Sequence, residues 1–344
     1  MLLARDLEGT GNTLWGVGYL VNGQSATNSS ADLEFSSPTQ VGTDKTWKSV
    51  TWGDRHLIAN KTDGSLWAWG YNDDGSLGTS LSPGVSISSP MQIPGTTWSD
   101  QVYGAKNCGG CIKTDGTLWS WGLNQTGLLG HNNRTTYSSP KQVGTDTTWK
   151  YLCKGSAWSQ SMMAIKTNGT LWAWGLQQGS GCLGLNEGST ERYSSPTQVG
   201  TDTTWHGVSM SNSDNKASCM ALKVDGTLWS WGDNSEGQLG VNSKTSQSSP
   251  TQIGTETTWG NGVYNFNNGG DYTFTLGALQ GSAVKTDGTL WSWGKNGEGN
   301  LGHNNRSDYS SPRQVGTDTN WGGVAGGGQN GEKQVHYFFE KAKG

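Results

Sequence analysis

The sequence predicts an all-β fold, a single β-propeller of six four-stranded blades, on three observations. One segment, typified by Lys113-Thr114-Asp115-Gly116-Thr117-Leu118-Trp119-Ser120-Trp121-Gly122, occurs in five full copies, beginning at Lys61, Lys113, Lys166, Lys223 and Lys285. Between the copies, a Ser-Ser-Pro element and then a tryptophan recur roughly every 50 to 60 residues, a period typical of propeller blades. The chain shows no sustained helical periodicity, which predicts little helix.

Each copy of the segment has the composition of a β-hairpin. Asp-Gly is the preferred pair for a two-residue type I′ turn, because both central residues need positive φ. The threonine, leucine and tryptophans after the turn suit a pleated strand. Side chains alternate along a strand, so Trp119 and Trp121 are expected on one face. Such a sheet cannot bury its indole face alone and is expected to stack on another copy of itself.

One period reads as four strands, A to D. In the first full repeat, strand A runs from Trp47 to Trp52 and strand B from His56 to Lys61. Strand C is the Leu-Trp-x-Trp element, and a short strand D follows the proline, which is tolerated because it starts an edge strand. The predicted blade boundaries lie near Trp47, Trp98, Trp149, Trp205, Trp259 and Trp321.

The two ends of the chain each hold half of a repeat. Residues 321–344 supply strands A and B, and residues 1–46 supply strands C and D. We therefore predict that the terminal strands share one blade and close the ring, which removes an exposed sheet edge. The whole chain, 1–344, is predicted to be a single domain.

These residues carry a resemblance to a known family. The segment from Lys223 to Gly240, with its Asp-Gly turn, Leu-Trp-Ser-Trp-Gly strand, Asn234 and Gly-Gln-Leu-Gly ending, resembles the repeat of the regulator of chromosome condensation family. The asparagine recurs at Asn72, Asn124, Asn234 and Asn296, and the last glycine at Gly78, Gly130, Gly184, Gly240 and Gly302. The resemblance implies a propeller, usually of seven blades, so seven is the alternative to six.

Composition excludes several classes of function. The chain has 344 residues, a net charge of −4 and 15% charged residues, which gives no basic surface for nucleic acid. No apolar run approaches a membrane span, and no signal peptide is recognisable. The five cysteines are expected to be reduced and buried, as in a reducing cytoplasm or an assembled particle. Cys108 and Cys111 form a lone CxxC pair, and the sequence leaves open whether it binds metal.

No catalytic residues, cofactor or metal site are expected, because no catalytic or nucleotide-binding motif is present. The repeated Asp63, Asp115, Asp225 and Asp287 are explained by their place in turns. A stacking platform for sugars or bases is the alternative reading of the repeated tryptophans, and core packing is favoured. The predicted structural tryptophans are Trp67, Trp69, Trp119, Trp121, Trp172, Trp174, Trp229, Trp231, Trp291 and Trp293.

The connections differ from copy to copy at one end of the sheets only. The B–C turns and most D–A links keep their length. We call the tryptophan after each Ser-Ser-Pro element the spacer tryptophan; the number of residues from it to the first leucine of strand C grows from Trp47–Leu66 to Trp259–Leu290. Variable loops on a rigid scaffold carry binding specificity, so the A–B and C–D loops are predicted to bind a partner. The predicted binding residues are Tyr264, Phe266, Tyr272, Phe274, Trp158, His131, Arg134, His303 and Arg306. For the repeated His-Asn-Asn-Arg element, a loop-shaping role is the favoured reading.

The favoured function is a non-enzymatic scaffold that binds a protein partner, as the resemblance implies. The first alternative is a structural, receptor-binding or glycan-binding component of a particle such as a bacteriophage virion, which rests on composition. The second alternative is a guanine-nucleotide exchange factor-like regulator, the role of the family's best-known member. No segment of this chain matches an exchange element.

Overall fold

A computed structural model describes residues 2–5, 13–20, 24, 26, 33–153, 159–213, 216–260, 273–277, 279–327 and 336–341. Within these residues the structure is all-β, apart from one short 3₁₀ turn at Asp73–Gly75. The described chain has no helix of the length and hydrophobicity needed to cross a bilayer. The chain divides into two compact units, Met1–Gln160 and Ser161–Gly344. The prediction of one domain over 1–344 stays a prediction.

The first unit contains three sheets of antiparallel strands, paired in chain order, and one further strand. The first sheet comprises β1 (Leu2–Arg5), β2 (Leu14–Leu20) and β3 (Leu33–Gln40). The second comprises β4 (Trp47–Trp52), β5 (His56–Lys61), β6 (Leu66–Asn72) and β7 (Val85–Ile93). The third comprises β8 (Trp98–Ala105), β9 (Cys108–Lys113), β10 (Leu118–Gly122) and β11 (Tyr137–Gln142), and β12 (Trp149–Leu152) is the further strand.

The second unit repeats this arrangement. Its first strands, paired in order, are β13 (Ser161–Lys166), β14 (Leu171–Gln177) and β15 (Glu191–Gln198). A four-stranded sheet follows, with β16 (Trp205–Ser213), β17 (Lys216–Lys223), β18 (Leu228–Gly232) and β19 (Gln247–Gln252). The next four are β20 (Phe274–Leu276), β21 (Gln280–Val284), β22 (Leu290–Gly294) and β23 (Tyr309–Gln314). The last two, β24 (Trp321–Gly327) and β25 (His336–Lys341), form a hairpin.

The hairpin between strands B and C is real, but its turn differs from the prediction. In the β9–β10 hairpin only Gly116 has positive φ, at 80°. Its N–H donates to the Lys113 carbonyl over 2.9 Å, and the Lys113 N–H donates to the Thr117 carbonyl over 2.9 Å. This is a three-residue loop in which a left-handed glycine follows a type I turn. Asp115 therefore does not need a positive φ. Its carboxylate accepts the Thr117 N–H at 3.0 Å.

Neighbouring sheets within a unit are joined by a recurring contact that explains the Ser-Ser-Pro element. The Ser80 N–H, from the loop after β6, donates to the Ser138 carbonyl of β11 over 3.0 Å. In the second unit the Asn242 N–H donates in the same way to the Ser310 carbonyl over 2.7 Å. The first serine of the element is thus a docking point for the preceding repeat.

The second tryptophan of each repeat makes the other half of this junction. Trp121 Nε1 donates to the Ser76 carbonyl at 3.0 Å, and Trp293 Nε1 donates to the Gln238 carbonyl at 2.8 Å. Gly240 approaches the Trp293 ring so closely that an added Cβ would lie 2.7 Å from its Nε1. The Leu-Gly ending of one repeat is therefore shaped to receive the tryptophan of the next.

The core of each unit lies between successive sheets, as the stacking argument predicts. One cluster joins the β4–β7 and β8–β11 sheets through Ile58, Leu66, Trp98 and Trp121. Another joins the β1–β3 sheet to the β4–β7 sheet through residues that include Leu14, Trp47 and Trp69. Sheets that stack on their neighbours through indoles are the expected interior of a repeat protein.

The terminal sheets hold one strand more than the sequence predicts. The N-terminal strands C and D are β2 and β3, and the C-terminal strands A and B are β24 and β25. In addition, β1 pairs with β2, with Leu2 opposite Val17 and Arg5 opposite Leu14. Strand β2 thus has a neighbour on both edges. Closure of the ring by the two chain ends stays a prediction.

Candidate partner-binding loops

The A–B and C–D connections meet at one end of the sheets within each unit, as the meander predicts. In the first unit, Asn107 Nδ2 of the β8–β9 connection donates to the Asp74 carboxylate after β6, at 3.2 Å. In the second unit, Lys295 after β22 forms an ion pair of 3.8 Å with Glu236 after β18. We call this the loop end of a sheet, and the end that carries the B–C turns and D–A links is the turn end.

Among the described residues, Trp52 is the most exposed large apolar side chain at the loop end of the first unit. It is the last residue of β4, and 47% of its surface is exposed. The register places Trp52 opposite Leu57, the position that Met210 and Leu276 occupy in later sheets. Met210 and Leu276 are buried, with 3% and 5% of their surface exposed. This repeat thus places an exposed indole where other described copies place a core side chain.

The neighbouring strand approaches the backbone of Trp52 closely. Gly104 of β8 occupies the equivalent position in the next sheet, opposite Gly109. A Cβ added at Gly104 would lie 2.8 Å from the Trp52 carbonyl carbon, so only a glycine fits there. The β8 backbone thus packs directly against the backbone of Trp52, and the indole of Trp52 is left partly exposed. Sequence reasoning treated Trp52 only as a strand end, although a tryptophan at a position of Gly, Met and Leu was a usable signal.

Charged groups of both signs border Trp52. Arg55 Nε lies 3.6 Å from the Asp54 carboxylate, and the Asp54 N–H donates to the Lys106 carbonyl at 3.4 Å. Burial raises the pKa of the Asp54 carboxyl, against the lowering effect of the Arg55 and Lys106 charges. Asp73 and Asp74 complete this border through Asn107. An exposed aromatic side chain within a polar rim is the usual composition of a protein-binding hot spot.

Most of the predicted aromatic binding residues lie outside the described residues: Tyr264, Phe266, Tyr272 and Trp158. Phe274 is described, and its place corrects the prediction. It starts β20, has 1% of its surface exposed and packs with Trp259 and Trp293 in the core. The aromatic composition of the insert suggested an exposed anchor, but Phe274 belongs to β20, whose three residues are all buried.

The His-Asn-Asn-Arg element shapes its loop. His131 Nε2 lies 3.0 Å from Ser120 Oγ, and its ring meets Tyr137 edge-on at 5.1 Å between centroids. Asn133 Nδ2 donates to the His131 carbonyl at 3.0 Å. His303 repeats the first contact, with 3.0 Å between its Nε2 and Ser292 Oγ. Arg134 and Arg306 are exposed at the loop surface, where they remain available to a partner.

Burial lowers the pKa of these histidines. Desolvation, with a smaller contribution from Lys141, lowers the pKa of His131 to about 4. Desolvation also lowers the pKa of His303. The strongest case is His56 in β5, which is fully buried and whose pKa desolvation lowers to about 4. All three histidines lie at or near the loop end.

The ten predicted structural tryptophans fall into two groups. The second of each pair is buried: Trp69, Trp121, Trp174, Trp231 and Trp293. The first of each pair is half-buried: Trp67, Trp119, Trp172, Trp229 and Trp291.

A half-buried indole of this kind is held on two sides. Trp67 Nε1 donates to Ser65 Oγ at 2.8 Å, and the Lys61 ammonium lies 3.9 Å from the ring centroid. The lysine covers the ring face, which disfavours an open stacking platform.

The CxxC pair does not form a chelating site. Cys108 and Cys111 lie three residues apart on β9, so their side chains point to opposite faces of the sheet. Both thiols are buried, and burial raises the pKa of Cys108 to about 12. Across the described part of the chain, no group of three or more His, Cys, Asp or Glu side chains is arranged to hold a metal ion.

Comparison with known proteins agrees with this repeat geometry. The model of the regulator of chromosome condensation (RCC1) repeat matches residues 63–106, 115–155, 225–276 and 287–330. These matches cover more than half of the chain and begin at or beside the Asp-Gly turns.

Curated relatives share the repeat at moderate identity. The human E3 ubiquitin-protein ligase HERC2 is 26% identical over 311 residues, which is 89% of this chain but 6% of that protein. The mitochondrial RCC1 domain-containing protein RUG3 of Arabidopsis thaliana is 28% identical, over 74% of this chain and 55% of its own length. The Ultraviolet-B receptor UVR8 of the same plant is 27% identical, over 70% of this chain and 52% of its own length. The chain spans about half or less of these relatives.

Solved structures match the fold over nearly the whole chain. Prp20p from Saccharomyces cerevisiae superposes with a TM-score of 0.71 at 18% identity, over 99% of this chain and 80% of that one. Human WBSCR16 gives a TM-score of 0.70 at 19% identity, over 96% of this chain and 82% of that one. With the repeat match and the sheets described above, these likenesses show that the chain belongs to the RCC1 repeat family and has its β-propeller fold.

Proposed function

We propose that this propeller is a non-enzymatic scaffold that binds a protein partner through its loop end, with Trp52 at the centre of the contact. The observation that carries the proposal is the exposed indole of Trp52, in a position that other repeats fill with buried or absent side chains. Tryptophan is the residue most enriched at interface hot spots, and its exposure without a partner is unfavourable.

The family supports a protein as the partner. The structure of Prp20p was described together with its binding properties to Gsp1p and histones, and another structure shows yeast RCC1 (Prp20) bound to Kap60. Gsp1p, histones and Kap60 are partners of the yeast protein. For this chain they support a general use of the fold in protein binding and leave the partner's identity open.

Ligase activity is not part of the proposal. The ligase relative HERC2 matches this chain over only 6% of its own length. The glycan-binding and virion hypotheses gain no support from the relatives. The exchange-factor hypothesis gains none from this chain, in which no exchange element is recognised. They remain sequence-based hypotheses.

Two further predicted residues, Arg134 and Arg306, are expected to play a secondary role, each in its own unit. Arg134 and Arg306 are exposed on loops after β10 and β22, at the loop ends of their sheets. Charged rim residues steer association and add less affinity than a central aromatic group. We therefore expect their substitution to slow binding more than it weakens the complex.

The test is affinity capture with the intact chain, followed by a titration of the captured protein against three purified forms. Trp52→Ser is expected to weaken binding about thirtyfold or more, the effect of losing a hot spot worth at least 2 kcal/mol. Val224→Ser is the matched control, because Val224 is an exposed apolar residue, 59% exposed, at the turn end of its sheet. Equal affinity of the Trp52→Ser form and the wild type, with unchanged circular dichroism, would move the site away from this loop end.

A further inference from the structure

In three repeats, the lysine that opens the hairpin segment forms an ion pair with an acidic residue of the preceding D–A link. Lys61 Nζ lies 2.6 Å from Asp44 Oδ2 in the β4–β7 sheet. In the second unit, Lys223 pairs with Asp202, and Lys285 pairs with Glu256. Each of these ammonium groups also lies over the first tryptophan of its pair, 3.8 to 3.9 Å from the ring centroid.

The acidic residue serves the link as well as the lysine. Asp44 Oδ1 accepts the Thr46 N–H at 2.9 Å and the Thr46 hydroxyl at 2.7 Å, while Oδ2 faces Lys61. One carboxylate therefore satisfies donors from two segments, the threonine before the spacer tryptophan and the lysine before the Asp-Gly turn. In the second unit Asp202 accepts from the Thr204 hydroxyl and pairs with Lys223.

The β8–β11 sheet keeps the lysine but lacks the acid. Its link is the shortened Pro94-Gly95-Thr96-Thr97, with no Asp or Glu. Lys113 still lies between two indoles, 4.7 Å from the Trp98 ring and 4.2 Å from the Trp119 ring. Among the described residues, no carboxylate forms an ion pair with Lys113, and the Thr97 N–H donates to no protein group. The Thr97 backbone is also left-handed, with φ of 65°.

We propose that Lys113 and Thr97 form a docking position for a carboxylate supplied by another protein, an Asp or Glu side chain that takes the place of Asp44 in the intact copies. The chemistry of the missing group identifies the ligand, because the equivalent position holds Asp44, Asp202 or Glu256 in three other repeats. The position is accessible, since Thr96 and Thr97 are exposed and Lys113 is half-buried.

The two indoles make this lysine different from an ordinary surface lysine. Trp98 and Trp119 meet edge to face, with 6.0 Å between ring centroids, and fix the ammonium between them. A cation fixed in a partly desolvated place loses little side-chain entropy on pairing, and an ion pair there is screened less by solvent. This position lies at the turn end, so it is a second surface, independent of the loop-end contact.

The experiment uses the full chain labelled with ¹⁵N at tryptophan, and the indole N–H signals of Trp98 and Trp119 as reporters. The probe is the peptide acetyl-Gly-Thr-Asp-Thr-Thr-amide, which copies residues 144–148 of the chain. We expect a saturable shift of both signals. The same peptide with Asn in place of Asp is expected to bind at least tenfold more weakly.

Three variants separate this proposal from non-specific contact. Lys113→Met is expected to abolish the shift, while Lys223→Met, in a repeat with its own acid, retains it. Insertion of Asp between Gly95 and Thr96 restores the link and is expected to block the peptide without removing the lysine, so the proposal remains testable if Lys113→Met misfolds. The absence of a saturable shift, or an equal shift with the Asn peptide or the insertion variant, would overturn it.

Discussion

The turn end and the loop end of the sheets are built from the same repeats but behave differently. At the turn end, one network recurs: Asp115 accepts from Thr117, and the Thr117 hydroxyl accepts from Trp119 Nε1 at 2.9 Å. At the loop end, equivalent positions hold an exposed Trp52, an absent side chain at Gly104 and a buried Met210. Uniform contacts indicate a structural role, and variable ones are where a scaffold acquires specificity.

The largest expected difference concerns two glycines of the first unit, one at the turn end of the β8–β11 sheet and one at the loop end of the β4–β7 sheet. A Cβ at Gly116 would lie 2.0 Å from the Thr147 carbonyl oxygen, whereas a Cβ at Gly84 would meet nothing within 4 Å. Both have positive φ, at 80° and 88°. We expect Gly116→Ala to lower the free energy of unfolding by about 2 to 5 kcal/mol, from strain plus overpacking, and Gly84→Ala by about 1 to 2 kcal/mol from strain alone. Urea denaturation of both variants measures this, and equal losses would contradict a more tightly packed turn end.

A pH titration of stability separates the two ends by their titrating groups. Desolvation lowers the pKa of His56 from 6.5 to about 4. The unfolded chain therefore binds a proton that the folded chain does not, and stability falls as pH drops from about 6.5 to 4. The loss attributable to His56 is about 3 kcal/mol. In urea denaturation at pH 7 and pH 4, His56→Phe should lose less stability than the wild type, and an identical loss would show that His56 does not titrate this way.

The turn-end carboxylates act in a lower pH window. Hydrogen bonds from Thr117 lower the pKa of Asp115, and those from Thr227 lower the pKa of Asp225. A lowered carboxyl pKa gives stability that is present above the unfolded value of about 3.9 and is lost as pH falls through the folded value. As pH falls, the loss of unfolding free energy above pH 4 therefore reports on the loop end. The further loss below pH 4 reports on the turn end.

The smallest effect tests what the turn aspartate contributes, and the chain supplies its own control. Asn168 replaces the aspartate in one repeat and accepts the same two bonds from Thr170, at 3.1 and 2.8 Å. We therefore expect Asp225→Asn to change the unfolding free energy at pH 7 by less than about 0.5 kcal/mol, and Asp225→Ala to lower it by about 1 kcal/mol. Thermal or urea unfolding of both variants provides the measurement. A large loss in the Asn form would mean that charge, and not hydrogen bonding, holds the turn.

Repetition made most of the fold predictable. The bounds predicted for strands A and B, 47–52 and 56–61, are those of β4 and β5. Side-chain alternation and turn residues are local properties of the sequence. Because five copies share them, a departure in one copy does not obscure the pattern. Strand β1 was missed because Leu2-Leu3-Ala4-Arg5 has no counterpart in the other repeats. The turn type was wrong because Asp-Gly suits two kinds of hairpin, and the side-chain bonds of the aspartate decide between them.

The candidate site was much less predictable, because it depends on differences between copies in three dimensions. Phe274 was expected at the surface from composition alone, and its register buries it. Trp52 enters the sequence analysis only as the end of strand A, and its exposure follows from the folded sheet. The lysine–acid pairs were also missed, since Asp44 and Lys61 stand in different elements and only the folded hairpin brings them together.

The junction between sheets has a consequence for how such a chain can change. Trp293 completes its hydrogen bonding on Gln238 and its packing on Gly240, both contributed by the preceding repeat. The smallest unit that contains a complete junction therefore joins the second half of one repeat to the tryptophan strand of the next. A duplication or deletion of repeats that keeps every such junction intact loses no packing or hydrogen bond. A change at a single junction disturbs the packing of both neighbouring repeats.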